Sequence, residues 1–359
     1  MRVTRMNEKK TLSLFTGSDK INLVFVNDNE NGIIRKKKGR NFVYYWNSTI
    51  VRDAEELDRI MKLVIPPAWK NVWVCKKSIG HRQATGIDMK GRKQYRYHNE
   101  WNKIRNEQKF DRLLEFGKIL PRLRKHIDEQ LSLPDLSLEK VLATVIKLME
   151  RTYIRIGNSI YEKENGSYGL TTLKDKHVTI KGDNLKLSFI GKKGIHHSIS
   201  LQSKRLARIV KQCRDIPGKE LFQYFDETGN VQSIDSGKVN DYIKNISNTD
   251  FTAKNFRTWA GSINILRTFK AIGNGETKTM MKKKIVEALD YVCDKLGNTR
   301  SVCKKYYVHP LLISLYENKC LEPYLSELDK TENSRNKSKL TCEEKILMKI
   351  LKADKTIKK

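Results

Sequence analysis

The sequence predicts an α+β protein: a small N-terminal antiparallel β-sheet domain, then a larger, mainly α-helical domain containing a short three-stranded sheet. Three observations predict it. Aromatic and β-branched runs typical of strands recur up to Tyr97. From about Trp101 apolar residues recur at helical spacing. A β interlude bounded by Gly and Asn turns interrupts the helices at residues 178–200.

The elements follow in order. A basic segment, Gly32-Ile-Ile-Arg-Lys-Lys-Lys-Gly-Arg40, reads as a loop, and Phe42-Val-Tyr-Tyr-Trp46 after it as a strand. Residues 53–62 read as a helix: Leu57, Ile60 and Met61 share a face, and Asp53, Glu55 and Glu56 oppose the dipole in its first turn. Pro66-Pro67 stops it, and Val72-Trp73-Val74 resumes a strand. A Gly-bounded turn then leads into a strand with Tyr95 and Tyr97 on one face. Further on, Leu138, Val141, Leu142, Val145 and Met149 keep helical spacing behind Ser137, a suitable N-cap. Strands are expected at residues 178–180, 185–190 and 195–200, joined by Lys181-Gly-Asp-Asn184 and Gly191-Lys-Lys-Gly194. Helical patterns return at residues 204–213, 239–246, 255–269 and 278–295, and a basic amphipathic helix prone to fraying closes the chain at 342–351.

The chain has 359 residues, and 71 Lys+Arg against 41 Asp+Glu give 71 − 41 = +30. At roughly 100–200 residues per domain this length implies two domains. The expected division is 1–105, 106–328 and a tail at 329–359, with the main boundary near residues 100–108. Hydrophobic residues at 38% exclude wholesale disorder, and no run of about 18 apolar residues spans a membrane. The first residues lack an apolar secretory segment. So large a positive excess points to a polyanion as partner. The six cysteines, Cys75, Cys213, Cys293, Cys303, Cys320 and Cys342, form no CxxC pair, which argues against structural zinc and disulfides and for a reducing compartment. Phosphate-cradling GxxxxGK[ST], Gly-rich dinucleotide and HExxH motifs are missing, so a nucleotide-driven motor or a zinc hydrolase has no support.

Four segments carry a resemblance. Glu150-Arg-Thr-Tyr-Ile-Arg-Ile-Gly-Asn158 with Tyr168-Gly-Leu-Thr-Thr-Leu173 resembles the first active-site arginine segment of type IB DNA topoisomerases. Phe189-Ile-Gly-Lys-Lys-Gly194 resembles their lysine hairpin, and Phe251-Thr-Ala-Lys-Asn-Phe-Arg-Thr-Trp-Ala260 their second arginine segment. Leu296-Gly-Asn-Thr-Arg-Ser-Val-Cys-Lys-Lys-Tyr-Tyr-Val-His-Pro310 resembles the segment ending in the nucleophilic tyrosine. Ile65-Pro-Pro-Ala-Trp69 and Gly91-Arg-Lys-Gln-Tyr-Arg-Tyr97 extend the likeness to the first domain, so that it covers roughly residues 30–325. It is strongest to the small enzymes of bacteria, poxviruses and other large DNA viruses.

Carried over, the resemblance implies a catalytic set of Tyr307, Arg155, Lys192, Arg257 and Asn298, with Lys254 assisting. Poxvirus and nuclear members have His where Asn298 stands, whereas bacterial members have Asn. Position 306 is also Tyr; Tyr307 lies nine residues after Asn298, as the family pattern requires. The residue types suit the chemistry. Guanidinium forks match a phosphodiester whose non-bridging oxygens gain charge on in-line attack. An amide such as Asn298 adds a donor, and a phenol of pKa about 10 needs cations to stabilise its phenolate. Lys192 is the general-acid candidate for the leaving 5′-oxygen. No cofactor is expected, neither ATP nor a metal.

The first domain is expected to form half of a clamp on double-stranded DNA. Arg35, Lys36 and Lys37, with Arg92 and Lys93, are candidates for phosphates, and Gln94, Tyr95 and Tyr97 for a groove. Tyr95 and Tyr97 also suit the domain's own core. The implied protein is a monomer without membrane association, in a bacterial cytoplasm or in a virion or viral factory. Two other readings remain: a tyrosine recombinase, which shares the tyrosine chemistry but typically has HxxR where this chain has Lys254-Asn-Phe-Arg257, and a non-catalytic architectural DNA binder.

Overall fold

Strands give way to helices after Tyr97 in the computed structural model, which describes residues 11–16, 19–89, 91–330 and 339–357. Two compact units result, Met1–Lys109 and Phe110–Lys359.

In the first unit β1 (Thr11–Thr16) and β2 (Asp19–Val24) pair antiparallel. A six-stranded antiparallel sheet follows, built from β3 (Ile33–Lys38), β4 (Asn41–Trp46), β5 (Thr49–Ile50), β6 (Lys70–Val74), β7 (Arg82–Ile87) and β8 (Lys93–Tyr97) in the order β5-β4-β3-β6-β7-β8. Helix α1 (Ala54–Lys62) connects β5 to β6. Asp53 caps it, its carboxylate accepting from the Glu55 and Glu56 N–H groups at 2.9 and 3.1 Å, which satisfies donors the first turn leaves open. Ile60 joins Ile33, Val72, Val74 and Ala84 in the core.

The basic segment read as a loop is mostly strand β3. Arg35 corrects the expectation further: it is 8% exposed, and its guanidinium donates to the carbonyls of Ile65, Pro66 and Trp69 at 3.4, 3.1 and 2.7 Å. Its inward place in the alternation is tenable because those neutral acceptors replace water.

The second unit begins within α2 (Asn99–Gln130), which runs unbroken through residues 100–108. After it come α3 (Leu138–Thr152), with Ser137 as N-cap, and α4 (Ser159–Asn165). Strands β9 (Val178–Lys181), β10 (Asn184–Ile190) and β11 (His196–Gln202) form the three-stranded antiparallel sheet, in the order β11-β10-β9. Helix α5 (Lys204–Arg214), the hairpin of β12 (Gln223–Phe225) and β13 (Val231–Ser233), and α6 (Ser236–Ser247) lead to α7 (Ala253–Ile272). Most of α7 is buried, as befits a helix with few charges on any side. After it come α8 (Lys278–Leu296), α9 (Arg300–Tyr306), α10 (Pro310–Glu317), α11 (Glu322–Lys330) and α12 (Cys342–Ile357), of which α8, α10 and α12 pack against α7.

Helix α12 is docked rather than frayed. Ile346, Leu347, Ile350 and Leu351 are buried, and Glu344 accepts from Arg124 at 2.7 and 2.8 Å and from the Trp259 indole at 2.9 Å. Arg124 also reaches Glu150 at 2.6 Å, so α2, α3, α7 and α12 meet at one buried ion cluster. No helix among the described residues is long and apolar enough to cross a membrane.

Candidate active site

Four of the expected catalytic residues converge in the second unit. Tyr153, in the left-handed conformation, ends α3 and turns the chain so that Arg155 lies on the segment before α4. The Arg155 guanidinium donates to the Gly297 carbonyl at 2.8 Å and to Asn298 Oδ1. Arg257, one turn into α7, is 5% exposed; it donates to the carbonyls of Tyr153 and, at 2.8 Å, Leu296. One buried arginine thereby ties the end of α3 to the end of α8.

Tyr307 closes α9, its N–H bonded to the Cys303 carbonyl at 2.9 Å. Its ring centre lies 5.1 Å from the Arg257 guanidinium carbon, and its side chain is a hydrogen-bond partner of that group. The chain after it is fixed to α7, since the His309 N–H donates to Ser262 Oγ at 3.1 Å. At Gly261 the approach is close enough that a Cβ would stand 2.4 Å from the Tyr307 carbonyl oxygen.

Burial lowers the pKa of Arg155 to about 10, helped by the positive charge of Arg257 and opposed by Tyr307. Burial also lowers that of Arg257, again with Tyr307 opposing. Both guanidiniums keep their protons at neutral pH, so the pocket holds concentrated positive charge. Two of its donors, Arg257 Nε and Asn298 Nδ2, are buried with no hydrogen-bond partner among the described residues. They are two of nine such buried atoms among the described residues, and the two that belong to this cluster.

The two lysines are placed differently. Lys192 is exposed in the turn between β10 and β11, its ammonium 5.6 Å from the centre of the Tyr161 ring. Lys254, one turn before Arg257, has its ammonium 5.9 Å from the Tyr306 ring centre. Neither ring belongs to the four-residue cluster. His197 lies outside the segments that carry the resemblance. It is half-buried, and burial together with the charges of Arg155 and Arg257 lowers its pKa. Strand alternation was the signal, but His196 beside it left the inward residue undecided.

In the first unit Lys36 and Lys37 are exposed on β3. Arg92 pairs with Asp88 at 2.7 Å, Gln94 donates to Asp88 at 2.9 Å, and Lys93 pairs with Asp28. Tyr95 and Tyr97 stack at 5.9 Å, with Tyr95 41% exposed, so this pair is not closed into the core.

Comparison with known proteins identifies the family. The model of the eukaryotic DNA topoisomerase I catalytic core matches residues 91–332, and that of the bacterial DNA topoisomerase IB N-terminal domain matches residues 41–88. The chain is 33% identical over 296 residues to DNA topoisomerase 1B of Acanthamoeba polyphaga mimivirus, covering 80% of this chain and 88% of that protein. To DNA topoisomerase 1B of vaccinia virus (strain Copenhagen) it is 24% identical over 236 residues, covering 65% and 72%. The solved structure of the XerH site-specific recombinase bound to difH overlays with a TM-score of 0.32 at 15% identity, covering 54% of this chain and 49% of that one, which carries no argument. On the family models and the mimivirus relative, the chain belongs to the type IB DNA topoisomerases.

Proposed function

We propose that Tyr307 is the nucleophile with which this chain, acting as a monomer on duplex DNA, opens and reseals one strand to relax supercoils. The phenol loses its proton to solvent, its oxygen bonds to phosphorus in line, and the bond to the 5′-oxygen breaks. Lys192, carried on its exposed turn and assisted by Lys254, gives the leaving oxygen a proton. Arg155, Arg257 and Asn298 hold the non-bridging oxygens as negative charge grows there. The 3′-phosphotyrosyl bond conserves the energy of the broken backbone, so the strand rotates and is resealed without ATP. Guanidinium and ammonium groups supply the positive charge, and the reaction as written uses no metal ion.

The observation that carries this reading is the buried Arg257 guanidinium, its carbon 5.1 Å from the Tyr307 ring centre and its Nε without a hydrogen-bond partner among the described residues. A phosphodiester oxygen is the acceptor such a donor lacks. In the first unit, Lys36, Lys37, Arg92 and Lys93 would meet phosphates and Gln94, Tyr95 and Tyr97 a groove, as half of a clamp.

The test is relaxation of supercoiled plasmid in chelator without ATP, together with capture of the covalent adduct on a duplex whose cleaved end diffuses away. Wild type is expected to relax the plasmid and form the adduct. Adduct formation by Tyr307→Phe would overturn the assignment.

A further inference from the structure

His197 occupies the space between two parts of the site. On β11 it faces inward, while His196 faces outward with its Nε2 3.3 Å from Ser188 Oγ. Across the ladder its ring stacks on Phe189, its register partner, with centres 5.1 Å apart. Glycines bound the ring on two further sides. A Cβ on Gly191 would lie 2.6 and 2.7 Å from its Cδ2 and Nε2, and one on Gly297 would lie 2.6 and 3.1 Å from its Cε1 and Nε2. Gly191 is the residue before Lys192, and Gly297 the residue before Asn298. The Gly297 carbonyl also accepts from Arg155.

We propose that His197 is a positioning residue: its imidazole seats the turn bearing Lys192 against the Gly297-Asn298 segment, so that both meet the same phosphate. The inference rests on the reading of Lys192 as proton donor and adds what fixes that donor's place. An exposed turn between two glycines wanders unless its base is held, and about 1 Å of misplacement costs a proton transfer on the order of 100-fold. Burial and the neighbouring arginines favour the neutral ring, so it adds no charge to an already cationic pocket.

The experiment compares single-turnover cleavage of two duplexes, one with the natural 5′-oxygen at the scissile bond and one with sulfur in its place. A thiolate, whose acid has a pKa of about 8.5, leaves without a proton, so only the oxygen substrate needs the general acid. His197→Ala is expected to slow oxygen cleavage about 10–100-fold and sulfur cleavage less than about threefold. Gly191→Ala, which would crowd the ring without removing it, is expected to show the same pattern, and it decides the matter if His197→Ala does not fold. Equal losses on both substrates, or no loss on either, would overturn the proposal. Lys192→Ala on the sulfur substrate tests the underlying reading separately: failure of sulfur to restore its rate would sink Lys192 as the acid. In that event the His197→Ala, Lys192→Ala double variant still decides whether the two residues act together. Losses smaller than the product of the single ones support the seat; multiplicative losses reject it.

Discussion

The guanidinium carbon of Arg257 stands 5.1 Å from the centre of the Tyr307 ring, while the same side chain donates to the carbonyls of Tyr153 and Leu296. One group thus fixes the ends of α3 and α8 and faces the proposed nucleophile with Nε still unfilled. Lysine in its place would keep the charge and lose the fork. Arg257→Lys is therefore expected to lower the single-turnover cleavage rate about 100–1,000-fold, the range for losing a donor to an oxyanion. A loss below about tenfold would show that charge alone suffices.

The adjacent tyrosines are expected to differ sharply. Lys254 and Lys305 place their ammonium groups 5.9 and 5.4 Å from the Tyr306 ring centre, a contact that needs the ring and not the hydroxyl. Tyr306→Phe should relax plasmid within about twofold of wild type, since cation–π attraction of about 0.5–1 kcal/mol survives the change. Tyr307→Phe should bind DNA normally and form no adduct. Reversed behaviour would move the nucleophile by one residue.

Glu344 makes stability depend on acid. Burial alone raises its pKa, but the hydrogen bonds and charge of Arg124 and the Trp259 indole outweigh burial and leave it below its ordinary 4.5. A carboxyl with a depressed folded pKa stabilises the fold above its unfolded value, and that contribution is lost as pH falls through the folded value. Glu344→Gln should cost about 1.5–3 kcal/mol at pH 7, and its gap to wild type should narrow below pH 4.5. Denaturant melts at pH 7, 5, 4 and 3 measure this, and a constant gap would remove the linkage.

Those outcomes also mark what the sequence could reveal. Ser137 was legible as a cap because a cap acts on residues two or three positions away, whereas Asp53, read as part of the first turn, is the N-cap of α1. The order of the short motifs around Arg155, Arg257, Asn298 and Tyr307 was legible as a pattern, and the structure brings those four residues together. Long-range partners were not legible. Glu344 looks like any surface acid until Arg124, 220 residues earlier, is found against it. The expected boundary near residues 100–108 lies inside α2, next to the division of the two units after Lys109. Arg35 was hidden for a related reason: its acceptors are backbone carbonyls, which any residue can supply.

Arg35 and its neighbours allow a last prediction, on the proposed DNA contacts of the first unit. Successive residues of β3 point to opposite faces, so Lys36 lies opposite Arg35 and Lys37 shares its side. Lys36 stands over Tyr45 with its ammonium 5.1 Å from the ring centre, beside exposed Ile34, and with Lys38 it lies on the face of β3 opposite Arg35. A duplex lying along that face would meet Lys36 and leave Lys37 at the edge. Lys36→Gln should then reduce the slope of log affinity against log salt by about 0.9, the value for one phosphate contact, and Lys37→Gln by a small part of that. Arg35→Gln should leave the slope alone and lower the melting temperature, because three carbonyls lose their donor. The slope is measured from binding titrations over a series of salt concentrations on one duplex. A change in slope from Lys37→Gln but not from Lys36→Gln would put the DNA on the other face of β3, on the side where Arg35 is already held by the protein.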